Sequence, residues 1–364
     1  MPPRSNGPTT NSRGRPLKFA ILCEGKFGPL TSKTANACIR YSPERVAAVI
    51  DTTQAGRTAH DILGFGGAIP VVRTLDEAKG TGATALLIGI APQGGQLPAE
   101  WRVILSDALR SKMDLWNGLH FFIGEDAELA ALAKAHGAAI HDLRKPPANL
   151  PIASGRVTEV DATVILTVGT DCNIGKMTAQ MQLRDALLSR GVRVAFAATG
   201  QTGILLEGWG TSVDAVVADF IAGAAEDLVL RAAQDADIVL VEGQGSLVHP
   251  GYSGVTYGLI HGSMPHAMLL CSQPSRTAIS NNEWVKIPPL PEFIAMHEAI
   301  MRPLRPSPVI GVALNTYDLD DATARAAIAS AASDTGLPAA DVVRYDPAPL
   351  VDAILTFHAA RRKA

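Results

Sequence analysis

At 364 residues, 47% of them hydrophobic and 33 of them glycine, the chain is long enough for two α/β units with separate cores. Its 32 basic and 35 acidic residues leave a net charge of -3, which gives no electrostatic basis for binding nucleic acid or an anionic membrane surface. Four cysteines, Cys23, Cys38, Cys172 and Cys271, lie far apart without a C-x-x-C pair, so spacing points neither to a zinc site nor to a disulfide framework and fits a reducing cytoplasm.

Residues 1–17 are rich in Pro, Gly, Ser, Asn and Arg and lack the apolar core of a secretory signal; they read as a disordered tail. From Lys18 onward short apolar runs recur: FAILC, VAAVID, IPVV, ALLIGIA, DLWNG and AAIHDL. Helical-length stretches such as 99–112 and 125–136 separate them, a pattern expected of buried parallel strands joined by crossover helices. None of the runs approaches the ~20 apolar residues of a membrane span. The loop after the first run, CEGKFGPLTSKT (23–34), carries G-x-x-G, short of the G-x-G-x-x-G dinucleotide fingerprint, although Asp51 ends the second run where a ribose-binding acid would sit. GIAPQGGQLP (89–98) is a further loop at a strand end.

RKPPANLPIASG (144–155) interrupts the pattern with prolines and marks a boundary. The expected division is a Rossmann-like domain over 18–148, a linker over 149–160 and a second domain over 161–364. The second half offers strands at ATVILTV (162–168), VRVAFAA (192–198), DIVLVEG (237–243), AMLLC (267–271) and VIGVALN (309–315), with helices at 176–190, 213–234 and 321–335. The fold class expected is therefore α/β, two doubly wound parallel-sheet domains, the second like a P-loop NTPase.

That assignment rests on VGTDCNIGKMT, Val168 to Thr178. A strand, a Gly-rich turn and a helix let backbone N–H groups and the helix N-terminus converge on phosphate oxygens, with a lysine adding charge. Gly175 and Lys176 keep register with G-x-x-x-x-G-K-[ST], while Thr170 replaces the first glycine and Gly169 stands one residue earlier. Met177 occupies the position of the metal-binding hydroxyl, and Thr178 lies one residue too late. Gly169, Thr170, Asp171, Cys172, Asn173, Gly175, Lys176, Met177 and Thr178 are the expected cofactor-binding residues, and no protein metal site is expected. Cys172, near a helix N-terminus, suits either an activated thiol or a small residue in a tight turn.

VLVEGQGSLVHPGYSG (239–254) places Glu242 at the end of an apolar strand, where P-loop proteins put an acid facing phosphate or metal. Glu242, His249 and His261 are candidates for a catalytic base, though an isolated histidine more often has a packing role. AATGQTGILLEGWG (197–210) reads as a polar loop; Thr199, Gly200, Gln201 and Thr202, with Gln244 and Ser246, are the expected substrate contacts. Asn315, ending VIGVALN, could meet a nucleobase edge or cap the next turn.

These motifs, together with VDAVVADFIAGAAE, VEGQGSLVHPGYSGVTYGLIHG, GLPAADVVR, EGKFGPLTSKTA, IRYSPERVAAVID and DLRKPP, resemble a bacterial family catalogued as domain of unknown function 1611. The resemblance implies a Rossmann-like N-terminal domain, a P-loop C-terminal domain, and an activity shared with family members that are D-glutamate N-acetyltransferases. More distantly, the G-T-D-x-x-x-G-K loop and the V-E-G segment are similar to dethiobiotin synthetase, which implies phosphate binding at Lys176, a metal or substrate role for Glu242 and base recognition by Asn315. Met177 departs from that enzyme and speaks against metal-dependent phosphoryl transfer.

The leading expectation is an N-acetyltransferase that uses acetyl-CoA as co-substrate, its P-loop cradling the phosphates of coenzyme A while a small acidic amino acid such as D-glutamate accepts the acetyl group. The alternatives are a ligase or kinase of a small carboxylate using ATP with Mg²⁺, in which Thr178 or Asp171 would hold the metal, and a non-catalytic nucleotide-sensing regulator. A cytoplasmic homo-oligomer with a small-molecule substrate, and with neither a nucleic-acid nor a membrane partner, completes the reading.

Overall fold

The computed structural model describes residues 7–90 and 97–363. The chain divides into two compact units, the first running to Pro146 and taking in Gln201–Ala215, the second made of Pro147–Gly200 and the chain from Val216 onward.

The first unit contains β1 (Phe19–Leu22), α1 (Lys33–Tyr41), β2 (Val46–Ile50), α2 (Ala59–Leu63), β3 (Val71–Val72), α3 (Leu75–Gly80), β4 (Ala85–Ile88), α4 (Trp101–Arg110), β5 (Asp114–Asn117), α5 (Ala127–His136) and β6 (Ile140–Asp142). Its six strands are parallel in the order β3-β2-β1-β4-β5-β6, the dinucleotide-fold order. β1, β2, β4 and β5 are buried along their whole length, as strands covered by helices on both faces must be.

Asp51 follows β2, fully buried, and its carboxylate accepts from the backbone N–H groups of Lys26, Phe27 and Thr53 and from the Thr53 hydroxyl. With these bonds made, it closes the loop after β1 and has little capacity left for a ribose.

The disordered tail expected over 1–17 is corrected over residues 7–17. Thr10 pairs with Pro16, Leu17 is buried, and Ser12 gives both its backbone N–H and its hydroxyl to the buried Asp114 at 2.6 Å. The polar composition therefore serves to satisfy a buried carboxylate at the start of β5. Residues 1–6, and 91–96 of the GIAPQGGQLP loop, lie outside the described residues.

The second unit opens with β7 (Thr163–Gly169), α6 (Lys176–Ser189) and β8 (Val194–Ala197). The chain then crosses to the first unit as α7 (Gln201–Glu207) and residues up to Ala215. This segment, expected as a polar loop of the second domain, is a helix in the first. Gly and Thr are poor helix formers, and tertiary contacts override the propensity: the Thr202 hydroxyl lies 3.1 Å from that of Thr34, and Arg45 donates to the Leu205 carbonyl.

The second unit resumes with α8 (Ala218–Ala232), β9 (Ile238–Val241), α9 (Ser253–Ser263), β10 (Ala267–Ser272), a hairpin of β11 (Ala278–Ile279) and β12 (Asn282–Lys286), α10 (Leu290–Met301), β13 (Val309–Leu314), α11 (Asp321–Thr335), β14 (Ala339–Ala340) and α12 (Ala348–Arg361). The main sheet is parallel, ordered β14-β13-β10-β7-β9-β8, which seats β7 between β9 and β10. The Pro-rich stretch before β7 is anchored to α8: Glu226 accepts from the backbone N–H groups of Ser154, Gly155 and Arg156. No helix among the described residues is long and apolar enough to cross a membrane.

Two histidines, the half-buried His266 and the fully buried His297, give this unit an acid sensitivity. Burial pushes His266 down to about 3, with Arg305 and Arg361 adding to the shift, and burial pushes His297 down to about 4. Both are neutral in the fold at pH values where an unfolded histidine, titrating near 6.5, takes up a proton. Unfolding therefore binds protons below about pH 6.5, and stability falls as pH drops toward 4. Thermal melts should be flat from pH 8 to 7 and then decline, with a shallower decline in His266→Gln and His297→Gln. A melting temperature that rises between pH 6.5 and 4.5 would overturn the assignment.

Candidate functional site

The site is built on the turn between β7 and α6. Asn173 (φ 54°) and Gly175 (φ 100°) take left-handed backbone conformations that fold the loop back on itself, and Gly175 caps α6. Lys176, only 6% exposed, arches across the loop: its Nζ donates to the Asp171 carbonyl at 2.7 Å and to the Gly245 carbonyl at 2.8 Å. Ser246, also buried, donates to the Thr170 carbonyl at 3.1 Å. The loop after β7 is thereby joined to the loop after β9. Thr170 is held on its other side by β10, its N–H on the Cys271 carbonyl and its hydroxyl on Ser272.

Asp171 is fully buried. One carboxylate oxygen accepts from the Cys172 N–H at 2.6 Å, and the other from Arg276 Nη1 and the Ser280 N–H, both at 2.9 Å. Arg276 also donates to the Cys172 carbonyl. Motif reasoning passes over Arg276 and Ser280, which follow β10 and lie more than a hundred residues from the loop. The available signal is the polar run SQPSRTAISNN directly after an apolar strand, at the sheet edge where ligands of open α/β folds gather.

Glu242, 3% exposed, follows β9 and reaches toward β8: Oε2 accepts from the Thr199 and Gly200 N–H groups at 3.0 and 3.1 Å, and the Thr199 hydroxyl returns a bond to the Glu242 carbonyl. Gln244 Nε2 donates to the same hydroxyl at 3.1 Å. A Cβ on Gly243 would stand 1.8 Å from the Thr167 carbonyl oxygen, so only glycine lets β7 and β9 approach here.

His249 is buried, and its Nδ1 accepts the Gly251 N–H at 3.1 Å, which leaves the proton of the neutral ring on Nε2. Burial lowers its pKa, with Asp171 opposing and Lys176 reinforcing the shift. One ligand-capable atom each of Asp171, Cys172 and His249 lie within 4.8 Å of one another. Both oxygens of Asp171 and Nδ1 of His249 already hold hydrogen bonds, so a cation at this trio would share the carboxylate with Arg276 and the loop backbone.

Asn315 closes β13 beside the loop: its side-chain nitrogen is 3.7 Å from where a Gly175 Cβ would lie. Met177 is 4% exposed, its thioether packed inside, and Thr178 is half-buried. Cys172 is the one cysteine of the four that is not buried. Gln201 and Thr202 belong to the first unit, and His261 is exposed on the last turn of α9, its ring against Tyr257. The structure thus brings together all the expected cofactor-binding residues with Thr199, Gly200, Glu242, Gln244, Ser246 and His249 in the second unit.

Family models match both halves: a P-loop domain described as the C-terminal part of DUF1611, a domain of unknown function, over residues 151–351, and its Rossmann-like N-terminal domain over 52–146. The chain belongs to the DUF1611 family. It is 41% identical over 283 residues to a D-glutamate N-acetyltransferase of Tritonibacter scottomollicae, covering 77% of this chain and 84% of that one. A second D-glutamate N-acetyltransferase, from a Pseudoalteromonas species, is 35% identical over 269 residues, covering 74% and 80%. A crystal structure of a DUF1611 protein from Anabaena variabilis superposes with a TM-score of 0.90 at 42% identity, covering 93% of this chain and 99% of that one. This DUF1611 protein is an enzyme, and its relatives support the N-acetyltransferase class broadly.

Removing the Asp171 carboxylate takes the counter-charge from Arg276 and the acceptor from two backbone donors at a buried position. Asp171→Ala should cost about 3–5 kcal/mol, read as a lower denaturant midpoint. A variant as stable as the parent would show that the loop is held by other means.

Proposed function

We propose that the protein transfers an acetyl group from acetyl-CoA to the amine of a small acidic amino acid such as D-glutamate, with the β7–α6 loop gripping the phosphates of coenzyme A. The observation that carries this reading is a phosphate-type loop with a buried lysine whose metal-binding position is a packed methionine, Met177. Phosphoryl transfer from ATP depends on a metal bridging the phosphates, and Asp171, the carboxylate available to replace the missing hydroxyl, is spent on Arg276 and backbone. A phosphate-bearing acyl carrier needs only the grip.

Lys176 would turn from its two carbonyl partners to phosphate oxygens, joined by N–H groups of the loop and the α6 N-terminus. Asn315, beside Gly175, would meet the adenine. In the reaction the amine, after losing its proton, attacks the thioester carbonyl, the C–S bond breaks and coenzyme A leaves as the thiol. The pantetheine arm separates that carbonyl from the phosphates. Glu242, tied to two backbone N–H groups, and His249, protonated on Nε2, then serve the phosphate end and the loop.

The test is free-thiol release from acetyl-CoA with a panel of D- and L-amino acids, alongside ADP release from ATP and Mg²⁺. Amino-acid-dependent thiol release is expected, and amino-acid-dependent ADP release without it would refute the reading. Lys176→Ala should weaken coenzyme A binding at least tenfold, about 1.4 kcal/mol, by calorimetry.

A further inference from the structure

The first unit carries a cavity of about 280 Å³ at the C-terminal ends of β5 and β6, the sheet edge where open α/β folds hold ligands. Two motifs of the sequence meet there: the segment after His141 that continues into DLRKPP, and the far end of GILLEGWG, which enters with α7. The second wall is fixed in place. Gly208 (φ 77°) and Gly210 (φ 144°) turn the chain after α7, and Arg144 joins the β5–α5 loop to Asp214 through its bonds to the Gly118 carbonyl and the Asp214 carboxylate.

The lining holds one ammonium and one carboxylate, and the two differ in what they have left to offer. Trp116 is 6% exposed, its indole N–H is buried without a hydrogen-bond partner among the described residues, and its ring stacks on His141 at 4.1 Å. Lys145 supplies an ammonium whose present partner, Glu125 at 3.1 Å, is a half-exposed ion pair that exchanges at little cost. The one carboxylate of the lining, Asp142, is already committed to Asn117 Nδ2 and to the N–H groups of Ile123 and Gly124. Asp142 keeps its charge, but its acceptor positions are taken, so the side-chain hydrogen-bonding capacity left to a ligand is led by the Lys145 ammonium.

We propose that this cavity is a binding site for a small carboxylate, held by Lys145 and flanked by the Trp116–His141 stack. Its volume equals roughly nine waters at about 30 Å³ each, the size of an amino-acid dicarboxylate or its N-acyl derivative. The site stands on the first unit alone and does not depend on what the P-loop binds.

The test is calorimetry on the full chain without coenzyme A or nucleotide, using D-glutamate, L-glutamate and their N-acetyl forms, with tryptophan fluorescence as a second readout. Binding of at least one is expected, with Lys145→Ala weakening it at least tenfold, Lys145→Arg retaining most of it, Trp116→Phe losing the fluorescence response, and Lys176→Ala binding as the parent does. Preference for the free amino acid marks an acceptor site; preference for the N-acetyl form marks a product or effector site. The proposal is overturned if none of the four binds, if Lys145→Ala binds undiminished, or if Lys176→Ala abolishes binding. Loss of coenzyme A binding or of acetyl transfer would count only against the function proposed above.

Discussion

A carboxylate with no access to water must have its charge met by fixed donors, and Asp171 meets that demand inside the phosphate-type loop itself. Its bonds to Arg276 and Ser280 tie the loop to the hairpin that follows β10, and its bond to the Cys172 N–H shapes the turn from within. With the loop held in this way, Lys176 can cross it to Gly245, and Ser246 can bind the Thr170 carbonyl. Three strand ends, those of β7, β9 and β10, are thus joined around one potential anion site. The same bonds that make the loop rigid occupy most of the acceptor capacity of Asp171.

Much of this was legible in the sequence because burial on both faces leaves an unmistakable trace. Each apolar run from FAILC to VIGVALN became a strand, and the Gly-Lys pair lies where a strand meets a helix N-terminus. Side-chain roles were harder to read. Glu242 reads by position as a candidate base or an acid facing phosphate, and its carboxylate binds the backbone after β8; Asp51 looks like a ribose ligand, yet it closes its own loop. A sequence gives the position of an acid along a strand but not how many donors converge on it.

Long-range packing was the other limit. Residues 7–17 carry the composition of a disordered tail, and only Asp114, about a hundred residues away, explains why they are ordered. Gln201–Ala215 reads as a loop because its glycines and threonines disfavour a helix, and contacts with Thr34 and Arg45 decide otherwise. Because of that crossing, a motif that looks like one substrate loop is divided, Thr199 and Gly200 remaining beside Glu242 while Ile204, Gly208 and Gly210 line a cavity of the first unit.

In the proposed function the phosphates of coenzyme A are a handle and the acyl chemistry lies away from the loop. Acetyl transfer from acetyl-pantetheine, which keeps the thioester and lacks the nucleotide, tests this directly beside transfer from acetyl-CoA. Acetyl-pantetheine is expected to show a greatly raised KM with kcat largely kept, and the Lys176→Ala penalty is expected with acetyl-CoA and not with acetyl-pantetheine. An equal Lys176→Ala penalty with both donors would contradict it, because the lysine would then be acting on the thioester and not on the phosphates.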